Sequence, residues 1–285
     1  MYDTLCIAGG GIKILPFIGI LQHLINTKFI DLKLINKIIG VSSGSILALM
    51  LILDFNMNEI IFFFNNFDFK QVIPNSNSSE LLFNYGMEDS SKLNNVLKTL
   101  FIKKKFKLNY SFLDLYNDKK KQLVISVTNL TKKRVEYWNY LTKPDTPIIQ
   151  SIIVSCCYPI IFKPIKINNY YYVDGGLLDN FPIQLGNKKT TLGLVTKTSH
   201  YQNFENFIDY CGQIINLTIS SKDIAKINLY KNIYNIISVK NNTEVFDFNL
   251  SKKKIKEKIY SGNNIAKKFL KKIINKIKRS RRYSF

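Results

Sequence analysis

The chain is short of histidine, with His23 and His200 the only two in 285 residues. That scarcity argues against an imidazole-rich metal centre and leaves few candidates for a histidine base. Cysteine is sparse as well. Cys6, Cys156, Cys157 and Cys211 include one adjacent pair and no C-x-x-C. Neighbouring cysteines make a poor disulfide framework, so a cross-linked scaffold and a structural zinc site are not expected, and a reducing compartment fits best. No cofactor or metal is implied. Long apolar runs are also missing. The longest, Ile46–Leu53, is too short to cross a bilayer. The opening MYDTLCIAGGG has neither a basic leader nor a cleavable apolar stretch. The expectation is a cytoplasmic protein without a signal peptide or transmembrane segment, peripheral at membranes if a surface recruits it. No internal repeat and no Pro/Gly/Ser-rich linker divides the chain.

Acids are outnumbered too, by 41 Lys and Arg to 20 Asp and Glu, for a net charge of +21. Part of this is a general drift toward Lys, Asn and Ile. The remainder is concentrated, because residues 252–285 carry +13 of it. Ile265, Phe269, Leu270, Ile273, Ile274 and Ile277 recur there at helical spacing, with lysines between them. The pattern predicts a basic amphipathic helix over 251–285, packed on the domain formed by 1–250. It suits an anionic membrane surface or a solvated lysine face. No motif accompanies it that would make nucleic acid the expected partner.

What the chain has in plenty is apolar residues, 46% of the total, enough for one sizeable core. Thr4–Ala8 reads as a buried strand running into Gly9-Gly10-Gly11, and Ile14 to Thr27 as a helix. Leu34–Ile39 reads as a second strand, stopped by Gly40, and Ser45 to Asp54 as a buried helix. Strand, turn and helix repeated in this way indicate βα units and a mainly parallel sheet. Later strands are expected at Gln122–Thr128, Val135–Trp138 and Tyr170–Val173, with helices near Ser90–Phe101 and Pro147–Ser155. Thr191–Thr196 and Gln213–Thr218 are further elements of undetermined type, and Asn75–Ser79 a loop. Phe62 to Phe69 form an aromatic cluster suited to core packing or to an apolar entrance.

Three turns carry the chemistry. Gly40-Val41-Ser42-Ser43-Gly44 fits G-x-S-x-G, the spacing of a sharp strand-to-helix turn that exposes a serine hydroxyl. Ser43 and Ser45 read as helix-capping residues. Gly9-Gly10-Gly11 can gather backbone N–H groups around an anion or a developing oxyanion, or can be a tight turn. Nucleotide readings of it are weakened by Ile14, which occupies the third glycine of a dinucleotide turn and the Ser/Thr of a phosphate loop, and a nucleotide-binding module stays a distant third reading. Asp174-Gly175-Gly176 puts an acid at a strand end, where it can take a proton from Ser42 if the two strand ends lie side by side. A Ser42, Asp174, His200 triad satisfies the chain order of α/β-hydrolases but places its histidine in a polar stretch.

Gly9-Gly10-Gly11-Ile12-Lys13, Gly40-Val41-Ser42-Ser43-Gly44 and Asp174-Gly175-Gly176 together resemble the patatin-like phospholipases in order and spacing. Ser155-Cys156-Cys157-Tyr158-Pro159 and Leu177-Leu178-Asp179-Asn180-Phe181-Pro182 extend the resemblance to residues 4–190. It implies a three-layer α/β/α sandwich and a Ser42–Asp174 dyad that needs no histidine. It implies an oxyanion hole from the amides of Gly9, Gly10 and Gly11, supported by Lys13, Gly40, Gly44, Gly175 and Gly176. The implied activity is metal-free hydrolysis of acyl esters of phospholipids or neutral glycerolipids. Ile14 departs from the family, which has glycine there. That departure motivates a second expectation, a patatin-fold membrane-binding protein with little or no catalysis.

Overall fold

The computed structural model describes residues 1–69, 85–197, 207–240 and 250–282. Among the described residues the strands are β1 Thr4–Ile7, β2 Lys37–Gly40, β3 Gly86–Glu88, β4 Gln122–Asn129, β5 Arg134–Trp138, β6 Ile160–Phe162, β7 Ile165–Ile167, β8 Tyr170–Asp174, β9 Thr191–Lys197 and β10 Asn235–Lys240. The helices are α1 Leu15–Asn26, α2 Ser43–Ile52, α3 Met57–Asn66, α4 Ser91–Lys103, α5 Phe112–Lys119, α6 Ile148–Ser155, the single turn α7 Gly176–Asp179, α8 Phe207–Tyr230 and α9 Lys252–Arg282.

The main sheet runs β10-β9-β1-β2-β4-β8-β7, with β5 also on β4, and β3 pairs with β6 apart from it. From β10 to β4 every pair is parallel. The β4–β5, β4–β8 and β7–β8 pairs are antiparallel. The sheet is parallel over most of its width, as expected, and its antiparallel end carries Asp174.

Side-chain alternation builds the outer layers. Leu5 and Ile7 of β1 join a large core with α1, α2, α3, α4 and α9, whereas Cys6 and Ala8 join a smaller one. Ile38 and Ile39 of β2 split in the same way, as do Ile125 and Val124 of β4. Period-two side chains feed opposite faces, so the two cores lie on the two sides of one sheet. On the second side Phe181, Ile183 and Ile227 of α8 close the layer. The architecture is the three-layer α/β/α sandwich. α2 is apolar all round and buried along nearly its whole length, which its Ile46–Leu53 run requires.

Most expected elements occur within two residues of their predicted bounds. β2 is the exception, starting at Lys37 rather than Leu34. Lys33 N–H bonds the Asp31 carboxylate, and Leu34 N–H bonds Asp31 C=O, so a turn takes those residues. Gln213–Thr218 belongs to the longer helix α8. The expected loop at Asn75–Ser79 lies outside the described residues. Among the described residues no helix is long and apolar enough to cross a membrane.

α9 crosses α1 so closely that the backbones touch. A Cβ on Gly19 would lie 1.8 Å from Ile259 O, and one on Gly262 would lie 1.9 Å from Pro16 O. Ile255, Ile259 and Ala266 are buried in this contact, with Phe269 and Leu270 packed against the core. Lys267, Lys268, Lys271 and Lys272 are exposed.

Candidate active site

Three chain segments meet at the ends of β1, β2 and β8. Ser42 follows β2 with φ 51° and ψ −133°, and α2 begins at the next residue. A non-glycine residue in that region is strained by about 1–3 kcal/mol and must be held there by its surroundings. Several contacts hold it. Ser42 N–H donates to Ser155 Oγ at 2.9 Å, Ser155 Oγ–H donates to Ser126 C=O at 2.7 Å, and Ser45 Oγ–H donates to Ser42 C=O. Ser45 therefore braces the turn rather than capping α2, and the buried Ser43 Oγ has no hydrogen-bond partner among the described residues. Gly44 permits the close approach of the two βα turns, since a Cβ there would lie 2.5 Å from the carbonyl oxygens of Ile7 and Ala8. Ser42 thus sits over the N-terminus of α2, where the helix field favours negative charge.

Asp174 ends β8 and is 2% exposed. Its N–H donates to Cys157 C=O at 2.8 Å, and its Oδ1 accepts from Gly176 N–H at 2.7 Å. A Cβ on Gly175 would lie 2.0 Å from Ser126 O, so only glycine lets this turn lie against β4. The strands of Ser42 and Asp174 do not neighbour each other. Gly40 of β2 pairs with Ile125, and Asp174 pairs with Val127, so β4 stands between them. Two ladder spacings put the β2 and β8 backbones roughly 10 Å apart. The 155–157 segment spans this gap, bonding the serine turn at one end and the aspartate strand at the other.

Burial pushes the Asp174 carboxyl from the usual 3.8 up to about 7, with the Ser42 hydroxyl and the Gly176 amide pulling it down. Asp174 Oδ2 is buried and has no hydrogen-bond partner among the described residues. The Ser42 hydroxyl is close enough to this carboxyl to favour its charged form. A carboxyl near 7 exchanges its proton readily at neutral pH.

The glycine turn follows β1 and opens a 3₁₀ turn at Gly11–Ile14, with Gly11 at φ 57°. Gly9 N–H donates to Asn180 Oδ1 at 3.0 Å. Among the described residues no acceptor is bonded to the amides of Gly10 or Gly11. Lys13 and Ile14 are buried beside them. Gly9, Gly10, Gly11, Lys13, Ser42, Asp174 and Gly176 all line one apolar pocket of about 160 Å³. Gly40, Gly44 and Gly175 do not line it. Its other walls come from Phe63, Phe64, Phe67 and Phe69, and from Asn216, Ile219, Ser220 and Asp223 of α8.

Cys156 also lines the pocket, but burial raises its thiol pKa well above 9, so it is no competing nucleophile at neutral pH. His23 is half-buried on α1 and does not line the pocket. His200 lies outside the described residues. Asp223 was not foreseen, because it falls in a polar stretch with no motif around it.

The family profile described as Patatin, patatin-like phospholipase, matches residues 5–185. A protein of Invertebrate iridescent virus 6 named as a probable lipid hydrolase is 29% identical over 227 residues, covering 76% of this chain and 77% of its own. An uncharacterized protein of Acanthamoeba polyphaga mimivirus is 28% identical over 289 residues, covering 95% of each. Among solved structures, VipD from Legionella pneumophila superposes with a TM-score of 0.62 at 17% identity, over 95% of this chain and 67% of that one. The type III effector ExoU superposes with a TM-score of 0.52 at 14% identity, and this chain spans about half of it, 53%.

Proposed function

Because the chain belongs to the patatin-like phospholipase family, we propose that it is a lipid acyl hydrolase of phospholipase A type, working through Ser42 and Asp174. The observation that carries the reading is the shared pocket. A strained serine, a buried carboxyl near pH 7 and two uncommitted glycine amides face one apolar cavity.

Ser42 Oγ attacks the ester carbonyl carbon while its proton passes to Asp174. Negative charge gathers on the former carbonyl oxygen, where the amides of Gly10 and Gly11 and the N-terminus of α2 stabilise it. Gly9 fixes the turn through Asn180 and leaves the donating to its neighbours. As the C–O bond breaks, the departing alkoxide takes the proton from Asp174, leaving an acyl-Ser42 ester. Water then attacks that ester, giving a proton to Asp174, which returns it to Ser42 as the fatty acid leaves. The phenylalanine wall suits an acyl chain, and Ile14 adds a branched side chain to that wall.

Ser42→Ala is expected to abolish labelling by a fluorophosphonate probe and to lower acyl-ester hydrolysis by about 10³-fold or more. Mass analysis of a lipid extract after incubation would reveal free fatty acid and lyso or deacylated products from the parent alone. Undiminished hydrolysis by the alanine variant would overturn the nucleophile assignment. A parent that neither labels nor hydrolyses would instead support the weakly catalytic membrane-binding reading.

The proposed partner is an anionic bilayer met by the lysine face of α9, each lysine near the surface adding about 1 kcal/mol. Deleting the helix would strip buried Ala266 from the core, so charge reversal is the sounder test. Lys267, Lys268, Lys271 and Lys272 changed together to Glu should abolish co-sedimentation with phosphatidylserine vesicles and leave the melting temperature within about 2 °C. Unchanged sedimentation would remove the membrane role from this face.

A further inference from the structure

Asp223 of α8 is 4% exposed, lines the pocket and makes no ion pair among the described residues. Its Oδ2 accepts from Asn180 Nδ2 at 2.7 Å. Asn180 Oδ1 in turn accepts from Gly9 N–H at 3.0 Å, and Asn180 Nδ2 lies 3.5 Å from Gly9 O. Three distant segments are thereby joined in one line that ends on the glycine turn. The residue falls outside the 5–185 span of the family match.

We propose that Asp223 is a positioning residue for the oxyanion turn, acting through Asn180. The inference rests on the hydrolase reading above. An ionised carboxylate only accepts hydrogen bonds, so Asp223 selects the Asn180 orientation that presents Nδ2 to itself and Oδ1 to Gly9 N–H. The reverse orientation would set an NH₂ group against that N–H. A Cβ on Gly9 would lie 2.7 Å from both Asn180 Oδ1 and Ser42 Cβ, so the turn is packed between the amide and the nucleophile. Movement of Asn180 therefore moves the peptide that precedes the Gly10 and Gly11 donors, and oxyanion donors act only when well aimed.

The groups around Asp223 are few. Burial pushes its pKa up to about 7, the Asn180 bond pulls it down, Asp179 pushes it up and Lys226 pulls it down. Lys226 is itself bonded to Asp179 at 2.6 Å. β9 contributes the Thr196 hydroxyl to the pocket, and the glycine turn contributes Lys13. Protonation leaves Asp223 a carbonyl acceptor for Asn180 but removes its charge, so the bond that holds Asn180 weakens from a charge-assisted to a neutral one. The acid limb of the parent should then reflect two ionisations, those of Asp174 and Asp223.

The test compares the full chain with Asp223→Ala and Asp223→Asn on a nitrophenyl acyl ester. Asparagine keeps an acceptor for Asn180 but does not titrate. Asp223→Ala should lower kcat by about 30- to 300-fold with KM within about threefold. Asp223→Asn should return kcat to within about fivefold of the parent and leave an acid limb of a single ionisation. Deuterium exchange of the peptide spanning residues 4–12 should rise in the alanine variant and not in the asparagine one. If Asp223→Ala gives no folded protein, Asp223→Ser, too short to reach Asn180, takes its place. A kcat within twofold of the parent in the alanine or serine variant overturns the proposal, as does exchange at residues 4–12 that none of the variants changes. A parent that neither hydrolyses nor labels overturns the hydrolase reading instead, and the exchange comparison alone then decides whether Asp223 holds the turn.

Discussion

Asp174→Asn is expected to lower kcat by about 10³-fold or more while making the folded protein more stable at pH 8. The activity loss follows from the proposed mechanism, since an amide cannot accept the Ser42 proton. The stability gain follows from where the carboxyl sits. Its usual value is 3.8, and burial raises it to about 7 in the native state. Below about pH 4 both folded and unfolded chains hold the proton, and the site contributes its full stability. Between 3.8 and about 7 the native state holds a proton that the unfolded chain releases, so stability falls as pH rises through that window. By pH 8 the accumulated cost is about 4 kcal/mol, at 1.36 kcal/mol per unit. Asparagine escapes this cost but leaves a buried Nδ2 without an acceptor, which takes back about 1–2 kcal/mol. The variant should therefore melt above the parent at pH 8 and at or below it at pH 4. Parallel melting curves at both pH values would contradict the raised carboxyl. A surviving kcat would contradict its role as base.

The second large effect concerns the crossing of α1 and α9. Gly19→Val is expected to destabilise the protein by about 3–5 kcal/mol, because its Cβ would lie 1.8 Å from Ile259 O and no rotamer can relieve a clash at that atom. For a chain of this size such a loss corresponds to roughly 10 °C in Tm. α9 should be released first, so limited proteolysis should cut within residues 250–262 before it cuts elsewhere. Gly262→Val should reproduce the result from the other side, since its Cβ would meet Pro16 O. Exposed Ser261→Val serves as the control and should cost under about 1 kcal/mol. Equal melting of all three would mean that the helices do not cross at these glycines.

How much of this was readable from the residues differs from element to element. β1, β2 with its serine turn, and β8 with its Asp-Gly-Gly were legible because apolar runs stop abruptly at glycine, a local signal. The C-terminal helix was legible because apolar residues and lysines alternate at helical period. α8 was not, because Asn216, Thr218, Ser220 and Ser221 interrupt its stripe and Gly212 sits near its start. Its identity comes from tertiary placement over the pocket. The Asn180–Asp223 bond spans 43 residues and leaves no trace in local spacing. Gly9 illustrates the limit of motif reading. Three glycines suggested three donors, but one amide is held by a side chain 171 residues away. The placement of β4 between serine and aspartate was likewise invisible, since spatial strand order is not written in chain order.

That intervening strand has a consequence for how the site can vary. The span from Ser42 to Asp174 is measured by two rungs of main-chain bonding, with β4 as the ruler, and not by the loops that carry the residues. Lengthening a surface connection leaves the ruler unchanged. Sliding β8 along β4 by one residue would not retune the span gradually, because Asp174 would turn to the opposite side of the sheet. The spacing between Ser42 and Asp174 is thus set in whole steps, and a variant of this sheet either keeps it or loses it.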